Sequence, residues 1–526
     1  MYYTIIPRAE IGLRPQNQIV GKINPWSPSN FGSRSSMPIV HSHLLGRDEG
    51  DLQIYGALDA AITLEIHQAL TSLRNSDNPI YAFERALQAP AFAMMTRGFL
   101  VDQDARGRAI SMLDDRLVLL DLKLQALANA FWGKNLNPRS SDQLKDFFYG
   151  WLRLPVQYAF RDGVRVESCN RDCLEKLNAY LHARPFTALI LSYRDTAKRL
   201  EVLRTQVDND GRLRTSYNIA GTETGRWSSS TSSLGTGGNL QNITSELRHV
   251  FVADEGWVLV GIDLEQAESR EVGWQCGSLF GDWTYLDACE GGDLHTSVCR
   301  LAWPDIAWTS SPAENRKLAE TPYYRGLSYR DMAKKLGHGS NYGGQSPTLA
   351  KHAKIDVKLC EDFQRRYFEA FPALPRWHRW VATELQTEQR LGTPFGRVRQ
   401  FFGRTNDPAT LREAIAYVPQ SSTADRMNLG VWRIWKHLPQ VQLLAQVHDA
   451  VYFQVHENVI SHELLEKALD LIQVHLSTHG RTYTVPGELK TGWNWGNISV
   501  NNPNGLKKGW SPERKYVQIP LLDRKM

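Results

Sequence analysis

The spacing of apolar residues divides the chain into helical stretches separated by loop-rich sequence. From Tyr55 to about residue 130, and again from Ser140 to Val207, apolar side chains recur at the three- and four-residue intervals of amphipathic helices. The sequence GFLVDQD, which starts at Gly98, interrupts the first of these stretches. The first fifty residues are rich in Pro, Asn, Ser and Gly without periodicity, and they are predicted to form an extended lead-in.

Two short apolar runs are typical of buried β-strands, and each places an aspartate at a strand end. The run from Trp257 to Ile262 stops at Asp263, and the run from Leu443 to Val455 bends at His448 and Asp449. Either aspartate alone would be an ordinary turn residue. Two carboxylates fixed at strand ends can instead hold a pair of divalent cations for phosphoryl transfer. Because Mg²⁺ needs only one or two protein carboxylates besides water and phosphate, two aspartates suffice.

A regular series of polar side chains lies between these two runs, within sequence of helical pattern. Its members recur at every fourth position, the spacing of one helical face: Arg330, Lys334, His338 and Tyr342. The two cations suit a polyphosphate, and the two flat rings suit a nucleobase and its sugar. The glycines that flank His338 would let a base approach the backbone closely. The alternative interpretation is a solvated basic face that runs into a helix-ending glycine.

Composition describes a globular protein of several domains. The chain has 526 residues, too many for a single core, with 42% hydrophobic and 22% charged residues. Its net charge of +5 permits an anionic partner without requiring one. The six cysteines are scattered, and Cys169 and Cys173 have no second ligand pair nearby, so we expect reduced thiols rather than a zinc site. We find no membrane-spanning run and no signal peptide, which predicts a cytoplasmic protein.

The spacing Arg-x3-Lys-x3-His-Gly-x2-Tyr-Gly resembles the fingers-helix motif of family A DNA polymerases, which include bacterial DNA polymerase I and many phage replicative enzymes. The resemblance covers about residues 90 to 499 and extends, in the same order, to further motifs of that family. These are RGFLVDQ, TETGRWSSS (Thr222 to Ser230), GGNLQNI (Gly237 to Ile243), DLEQAESR (Asp263 to Arg270), GGDLHT, TPFGRVR, PQSSTAD, QVHDA (Gln446 to Ala450) and TGWNW.

The resemblance implies an α+β, right-hand polymerase fold, with a thumb, a palm built on an antiparallel sheet, and helical fingers. A short remnant of an exonuclease domain would precede it. The expected boundaries are 1–80 for the N-terminal extension and remnant, 81–215 for the thumb and the start of the polymerase region, 216–300 for the palm with the first metal motif, 301–410 for the fingers, 411–499 for the palm with the second metal motif, and 500–526 for a basic C-terminal tail.

The same resemblance implies a template-directed DNA polymerase that adds deoxynucleotides to a primer 3′-OH. Asp263, Asp449 and the Leu264 carbonyl would bind two Mg²⁺ ions, for which Mn²⁺ could substitute. Lys334 would also be the general acid for the departing pyrophosphate. The implied nucleotide-binding residues are Arg330, Lys334, His338, Tyr342, Glu268, Gln266 and His295. Among these, Tyr342 and Glu268 would crowd the ribose 2′ position and exclude ribonucleotides.

Contacts with primer-template DNA are also implied by the resemblance. The residues expected to contact DNA are Arg226, Gln420, Arg412, His448, Asn239, Gln241, Arg194, Lys198 and Arg199. Arg226 and Gln420, with Arg412 as a weaker candidate, would lie on the minor-groove side, and His448 would position the primer end. The last three of the set belong to the thumb, and they would bind phosphates without reading sequence.

The sequence departs from the family pattern at two site positions and near the N-terminus. His338 stands where the family has Phe or Tyr, and Ala450 stands where it has Glu. We expect altered dideoxynucleotide discrimination from the first change and tolerance of the second. Tyr55 and Asp59 resemble the last motif of a proofreading exonuclease, but no Asp-x-Glu precedes them. We therefore expect no proofreading by this chain alone.

Other functions stay open at this stage. A single-subunit RNA polymerase shares the Arg, Lys and Tyr spacing, although Glu268 argues against it, and a catalytically silent DNA-binding subunit is a further alternative. Lesion bypass and reverse transcription are compatible with the same motifs. We expect a phage or prophage protein, monomeric and located in the cytoplasm of a bacterial host. Its expected partners are primer-template DNA, deoxynucleoside triphosphates and a separate exonuclease or processivity subunit, with no membrane partner.

Overall fold

The computed structural model describes residues 49–73, 79–161, 163–324, 327–353 and 355–510. The extended lead-in and most of the predicted basic tail, with Arg514, Lys515, Arg524 and Lys525, lie outside these ranges. The chain divides into a unit that ends at Ala86 and a larger unit from Leu87 onward. Within the described ranges, no helix has the length and apolar character needed to cross a membrane.

Helices make up much of the described chain. In order they are α1 Glu49–Leu73, α2 Pro79–Arg97, α3 Gln103–Trp132, α4 Ser141–Lys145, α5 Arg171–Leu177, α6 Arg184–Leu203, α7 Ala267–Phe280, α8 Thr284–Glu290, α9 Leu294–Ala302, α10 Pro312–Ala319, α11 Tyr329–Asn341, α12 Ser346–Ala353, α13 Val357–Ala370, α14 Ala373–Thr387, α15 Pro408–His437 and α16 His462–Ile472. A π-helical turn, Asp146–Trp151, extends α4, and two 3₁₀ turns cover Leu240–Asn242 and Ser245–Val250.

The strands form one large sheet and several two-stranded ribbons. In order they are β1 Phe99–Val101, β2 Tyr158–Arg161, β3 Val164–Glu167, β4 Arg212–Leu213, β5 Ser216–Asn218, β6 Ser228–Ser230, β7 Phe251–Val252, β8 Trp257–Leu264, β9 Pro322–Tyr324, β10 Leu327–Ser328, β11 Arg390–Gly392, β12 Val398–Gln400, β13 Val441–Val447, β14 Ala450–His456, β15 Leu476–Thr478, β16 Arg481–Tyr483, β17 Gly487–Gly492, β18 Asn494–Asn497 and β19 Gly505–Lys508. The large sheet has the order β13-β14-β8-β17-β19-β18-β7-β1-β4.

The strand β8 lies between two antiparallel partners that come from much later in the chain. β14 pairs with β8 so that Ala450 faces Asp263, and β17 pairs with the other edge of β8 so that Glu488 faces the same aspartate. Val258, Leu259 and Val260 on β8 are buried, as expected for a strand covered on both faces. The predicted strand run and its closing aspartate are therefore reproduced, with β8 extending one residue further to Leu264.

Three hydrophobic cores support this arrangement. One joins helices α7 to α15 and includes Trp377, Tyr367 and Met332. A second lies against the large sheet and includes Phe99 and Trp495, whose rings stack at 5.5 Å between centroids. The third is built from α3 through α6. The sheet is thus anchored by a core of its own, separate from the helical core that carries α11.

The structure adds detail to three parts of the sequence prediction. The stretch from Ser140 to Val207, predicted to contain helices, also contains the ribbon of β2 and β3, in which Val164 and Val166 alternate with polar residues. At the Gly98 break, φ is +67° and the chain enters β1 before Asp102 caps α3. Part of the predicted C-terminal tail is structured, because β19 (Gly505–Lys508) pairs with β17 in the large sheet.

Candidate active site

Asp263 and Asp449 are brought together by strand pairing. Asp263 lies near the end of β8, and Asp449 lies in the tight turn between β13 and β14, one residue before the direct partner of Asp263. The Leu264 amide donates to the Asp449 carbonyl at 3.0 Å, which ties the turn to the end of β8. His448 takes a left-handed conformation with φ of +58°, which a residue without a glycine's freedom adopts only when its surroundings enforce it.

The two aspartates occupy an environment that disfavours their charge. Burial raises the pKa of Asp263 to about 7, and the neighbouring charge of Asp449 adds to the shift. Burial also raises the pKa of Asp449. Two half-buried carboxylates beside each other would be stabilised in their charged form by a cation.

The donor set around these aspartates fits divalent metal ions. Carboxylate and carbonyl oxygens are the ligands that Mg²⁺ prefers, and Asp263, Asp449 and Leu264 all line one cavity of about 900 Å³. Among the described residues, no three acidic, histidine or cysteine side chains converge closely enough to hold a metal on their own. An ion here would therefore complete its coordination with water and substrate oxygens, as Mg²⁺ commonly does.

Helix α11 carries the predicted polar series and borders the same cavity. Arg330, Lys334 and His338 all line it, and the side chains of Lys334 and His338 are exposed to solvent. The helix begins with a capping box, in which Ser328 and Asp331 satisfy each other's backbone amides. Tyr342 caps the other end, and its ring meets the His338 ring edge to face at 4.8 Å. The series thus shares one face of a well-capped helix.

The glycines of this region serve packing rather than base access, so the expectation drawn from them is wrong. A Cβ on Gly339 would lie 2.3 Å from Leu349 Cδ2, and one on Gly344 would lie 2.7 Å from the Gly339 carbonyl oxygen. Gly337 is buried and faces Val298 on α9. Close contact of α11 with α12 and α9 is the physical reason that glycine occupies these positions.

Arg330 has a fixed partner on the far side of the cavity. Its Nε and Nη2 donate to Asp293 Oδ2 and Oδ1, both at 2.7 Å, in a bidentate ion pair. Although burial works against the charge, hydrogen bonds from Arg330 and Thr296 lower the pKa of Asp293 to about 2. Burial and the Arg330 charge lower the pKa of His295, on α9, to about 4, so this ring is neutral at pH 7.

Glu268, in the first turn of α7, is the meeting point of three candidate residues. It accepts a hydrogen bond from Tyr342 Oη and forms an ion pair with Arg226, and His338 Nε2 lies 3.7 Å from its Oε2. Burial and the Glu268 charge raise the pKa of Tyr342 well above its usual value, which keeps its hydroxyl a donor. Tyr342 and Glu268 are thereby held against each other at the edge of the cavity.

Gln266 stands at the start of α7 in a strained conformation, with φ of +53°. Its Oε1 is buried and has no hydrogen-bond partner among the described residues. Such an unsatisfied acceptor at the lining of a cavity is consistent with a site that a ligand completes.

The candidate DNA contacts fall into exposed and enclosed groups. Gln420 and Arg412 lie on α15, the former half-buried and the latter exposed, and His448 is exposed at its turn. Asn239 accepts from Ser229 Oγ at 2.5 Å and stays partly accessible. These four positions are open to a partner.

Gln241, in contrast, is enclosed, which is inconsistent with the predicted DNA contact. It is only 8% exposed, and its Nε2 donates to the Trp227 carbonyl at 3.1 Å and to Gln446 Oε1 at 3.2 Å. Gln446 in turn donates to the His448 carbonyl at 2.8 Å. Gln241 therefore supports the turn that carries Asp449 instead of facing a ligand.

The three cations on α6 that were predicted to bind phosphate also differ from one another. Arg194 donates to the backbone carbonyls of Pro138 and Cys169, both at 2.8 Å. Its guanidinium therefore links α6 to two loops of the protein, and these contacts do not support the predicted contact with phosphate. Arg199 forms an ion pair with Glu246. Lys198 is exposed.

Sequence reasoning did not assign three residues that the structure places at this site. Asp293 accepts hydrogen bonds from Arg330, and Gln446 donates to the backbone carbonyl of His448. Glu488, on β17, is the direct strand partner of Asp263 on β8. The first two lie inside the motifs GGDLHT and QVHDA and could have been found there. Glu488 lies in no such motif, and only the strand register reveals it.

The chain is similar to known DNA polymerases. Residues 120–497 match the family model described as DNA polymerase family A. The chain is 30% identical over 395 residues to the thermostable DNA polymerase I of Thermus filiformis, covering 71% of this chain and 43% of that protein. It is 26% identical over 383 residues to DNA polymerase I of Helicobacter pylori, covering 69% and 38%. The chain thus spans about two fifths of the length of these relatives.

A solved structure shows the same fold. The polymerase domain of Pol1 from M. smegmatis, in complex with DNA primer-template and dNTP, aligns with a TM-score of 0.63 at 24% identity over 78% of this chain and 69% of that one. This likeness confirms the predicted right-hand polymerase fold. Because the family model matches well over half of its residues, the chain belongs to DNA polymerase family A.

Proposed function

We propose that this chain is a template-directed DNA polymerase that adds deoxynucleotides to a primer 3′-OH with the help of two divalent metal ions. One observation carries the proposal. Asp263 and Asp449, at paired strand ends, form a sheet wall of the cavity, and Arg330 and Lys334 of α11 form a helix wall of the same cavity. Carboxylates and cations that line one cavity suit a metal-bound triphosphate. We assign residues 81–215 to the thumb, 216–300 and 411–499 to the palm, and 301–410 to the fingers.

Each wall has a distinct task in this proposal. Asp263 and Asp449, with the Leu264 carbonyl, would hold Mg²⁺ or Mn²⁺ ions, which activate the attacking hydroxyl and neutralise the leaving phosphates. Arg330 and Lys334 bind the triphosphate, Arg330 through Nη1, the guanidinium nitrogen that does not bond Asp293, and Lys334 as a point charge. Lys334 is exposed and free to follow the leaving pyrophosphate, to which it donates a proton. His295 and Gln266 would complete the nucleotide pocket.

The hydrogen bond between Tyr342 and Glu268 supports selection of deoxyribose. The two side chains join at the edge of the cavity, where they would occupy the space that a ribose 2′-OH needs. His338 lies beside both and would contact the nucleotide with a ring that can also carry a proton. This arrangement favours a DNA polymerase over an RNA polymerase.

The decisive experiment is primer extension by the full chain with Asp263→Asn and Asp449→Asn variants. We expect nucleotide incorporation to fall to background while binding of primer-template DNA, measured by fluorescence anisotropy, is retained. Lys317→Ala, a change on α10 outside the cavity lining, is the control and should extend primers normally. Substantial incorporation by either aspartate variant would refute the two-metal mechanism. Supplying ribonucleotides in place of deoxyribonucleotides should give little product.

We also propose that the 526-residue chain does not proofread. Exonucleolytic cleavage of this type requires several clustered carboxylates. Asp59 lies on α1, and the sequence before it contains no Asp-x-Glu to supply further carboxylates. Incubation with Mg²⁺ and a mismatched 3′ end, without nucleotides, should leave the primer intact. Shortening of the mismatched primer would contradict this proposal.

A further inference from the structure

The carboxylate of Glu488 lies next to the proposed metal site without a role in it so far. β17 and β14 flank β8 on opposite edges, and Asp263 has a direct partner on each: Glu488 on β17 and Ala450 on β14. Direct partners in an antiparallel pair project to the same face of a sheet, about 5 Å apart at their Cβ atoms. A second carboxylate can therefore reach an ion at Asp263 from either side, and only the β17 side supplies one.

We propose that Glu488 is an additional metal-site residue, which accepts a hydrogen bond from water on the divalent ion held by Asp263. The inference rests on the proposed two-metal function. Glu488 lines the same cavity as Asp263 and Asp449, and its side chain is 25% exposed. Because no three carboxylates converge within direct coordination distance among the described residues, Glu488 acts through water and not as a direct ligand.

Two lysines orient this carboxylate. Lys490 Nζ lies 2.7 Å from Glu488 Oε2, and Lys508 Nζ lies 3.0 Å from Oε1, so each oxygen is held by one ammonium group. Every carboxylate oxygen can accept more than one hydrogen bond, so both keep the capacity to bind water. Partners of this kind fix the orientation of groups around a metal and are commonly worth a factor of ten or more in metal affinity.

Lys508 comes from β19, which lies beyond the residues matched by the family model. β19 is fixed to β17 by the Gly509 amide, which donates to the Leu489 carbonyl at 2.9 Å, and by Thr491 Oγ1, which donates to the Gly509 carbonyl at 2.7 Å. The strand thus carries a lysine to the cavity from outside the matched region. The support of Glu488 is a property of this chain's own C-terminal segment.

The test measures Mn²⁺ binding to the full chain by electron paramagnetic resonance, without nucleotide or DNA. Glu488→Gln keeps the shape of the side chain and removes its charge, and we expect about tenfold weaker binding. Glu488→Asp keeps the charge on a shorter side chain, so its Mn²⁺ affinity should lie between those of wild type and Glu488→Gln. Glu463→Gln is the control, because Glu463 is an exposed carboxylate on α16 that does not line the cavity. Its Mn²⁺ binding should be unchanged.

A rescue variant adds a sharper criterion. Ala450→Glu in the Glu488→Gln background places a carboxylate on the opposite side of Asp263 and should restore most of the lost affinity. In primer extension, Glu488→Gln should raise the Mg²⁺ concentration for half-maximal rate about tenfold, with little change at saturating Mg²⁺. Thermal unfolding of each variant confirms that it is folded.

The outcomes separate this inference from the function on which it rests. Wild-type Mn²⁺ affinity in Glu488→Gln, or an equal loss in Glu463→Gln, would overturn the role of Glu488 while leaving the two aspartates in place. Wild-type affinity in Asp263→Asn would instead overturn the metal site itself.

Discussion

On the sheet wall of the cavity the charged groups are half-buried, whereas α11 presents Lys334 and His338 to solvent and only its Arg330 is fixed, by Asp293. Asp263 and Asp449 are half-buried at the ends of paired strands, and helices α15 and α7 enclose the fully buried ion pair of Arg426 with Glu271. On α11, Lys334 and His338 are exposed. The difference indicates that the sheet wall fixes its side chains in place, whereas the exposed side chains of α11 can move to fit a ligand. Substitutions of enclosed charged residues should therefore have large effects, and substitutions of exposed ones should have small effects.

The largest effect on stability is expected at the buried pair. Arg426 Nε lies 2.9 Å from Glu271 Oε1, and both side chains are 0% exposed. Arg426→Met should lower the free energy of unfolding by about 3–5 kcal/mol, since it leaves a carboxylate buried without its cation. The double variant with Glu271→Leu should regain much of this loss. Urea denaturation measures both.

An exposed ion pair provides the contrast to this buried one. Arg316 is on α10, and Glu320 directly follows this helix. Arg316 Nε lies 3.0 Å from Glu320 Oε1, and about half of each side chain is exposed. Arg316→Met should change the free energy of unfolding by less than about 0.5 kcal/mol in the same assay. Equal losses of unfolding free energy at both ion pairs would show that burial makes no difference to what a charged residue contributes.

The next largest effect is expected for nucleotide binding by Arg330. Arg330→Ala removes a bidentate cation and should raise the KM for deoxynucleotides roughly 10- to 100-fold, the equivalent of about 1.5–3 kcal/mol. Arg330→Lys keeps the positive charge but lacks the planar guanidinium, so its KM should lie between those of wild type and Arg330→Ala. Steady-state single-nucleotide incorporation measures the change. An unchanged KM in Arg330→Ala would show that its ion pair with Asp293 is purely structural.

A smaller, pH-dependent effect is expected at His338. The His338 side chain is 52% exposed, but the protein around it still lowers its pKa by desolvation; Glu268 opposes this shift, and Lys334 and Arg226 add to it. The ring is therefore neutral at pH 7 and gains charge only in more acidic solution. Charge on the ring should strengthen nucleotide binding, so KM relative to that of His338→Phe should fall as pH is lowered from 7.5, by roughly two- to fivefold once the ring is protonated.

The three residues possible at position 338 should also differ in sugar selection. We expect wild type, His338→Tyr and His338→Phe to discriminate differently between deoxy- and dideoxynucleotides in competition assays. His295 controls for other histidines in the cavity, because its pKa of about 4 keeps it neutral over this range. Identical discrimination and identical pH profiles in all three proteins would show that the ring chemistry at this position is irrelevant.

The smallest effect is expected on α6. Lys198 is exposed, and Lys198→Ala should weaken DNA binding equally for all sequences and reduce the salt slope by about 1. Arg194→Ala should act through stability, because Arg194 binds two backbone carbonyls. Anisotropy titrations across a salt series distinguish the two. A larger change of slope for Arg194→Ala would reverse this assignment.

Sequence motifs predicted the site best where the chemistry is local. The four-residue series on α11 was found from its spacing and the two aspartates from their place after apolar runs, while the family resemblance supplied the fold and the expected roles of these residues. The glycines of α11 were misjudged because their neighbours, Leu349 and Val298, are tertiary contacts that no local pattern reveals. For the same reason Gln241 was read as a DNA contact, and Glu488 was missed until the register of β17 with β8 was known.

The position of β8 in the sheet has a consequence for biosynthesis. β8 is complete at Leu264, but its two neighbours, β14 and β17, are made only when the ribosome has reached Gly492. The intervening helices α7 to α15 can meanwhile pack into their own core, since their contacts are closer in sequence. The nascent chain thus contains an apolar strand without its partners until β14 is made at Ala450–His456 and β17 at Gly487–Gly492. An unpaired apolar strand of this kind is prone to aggregate during that interval.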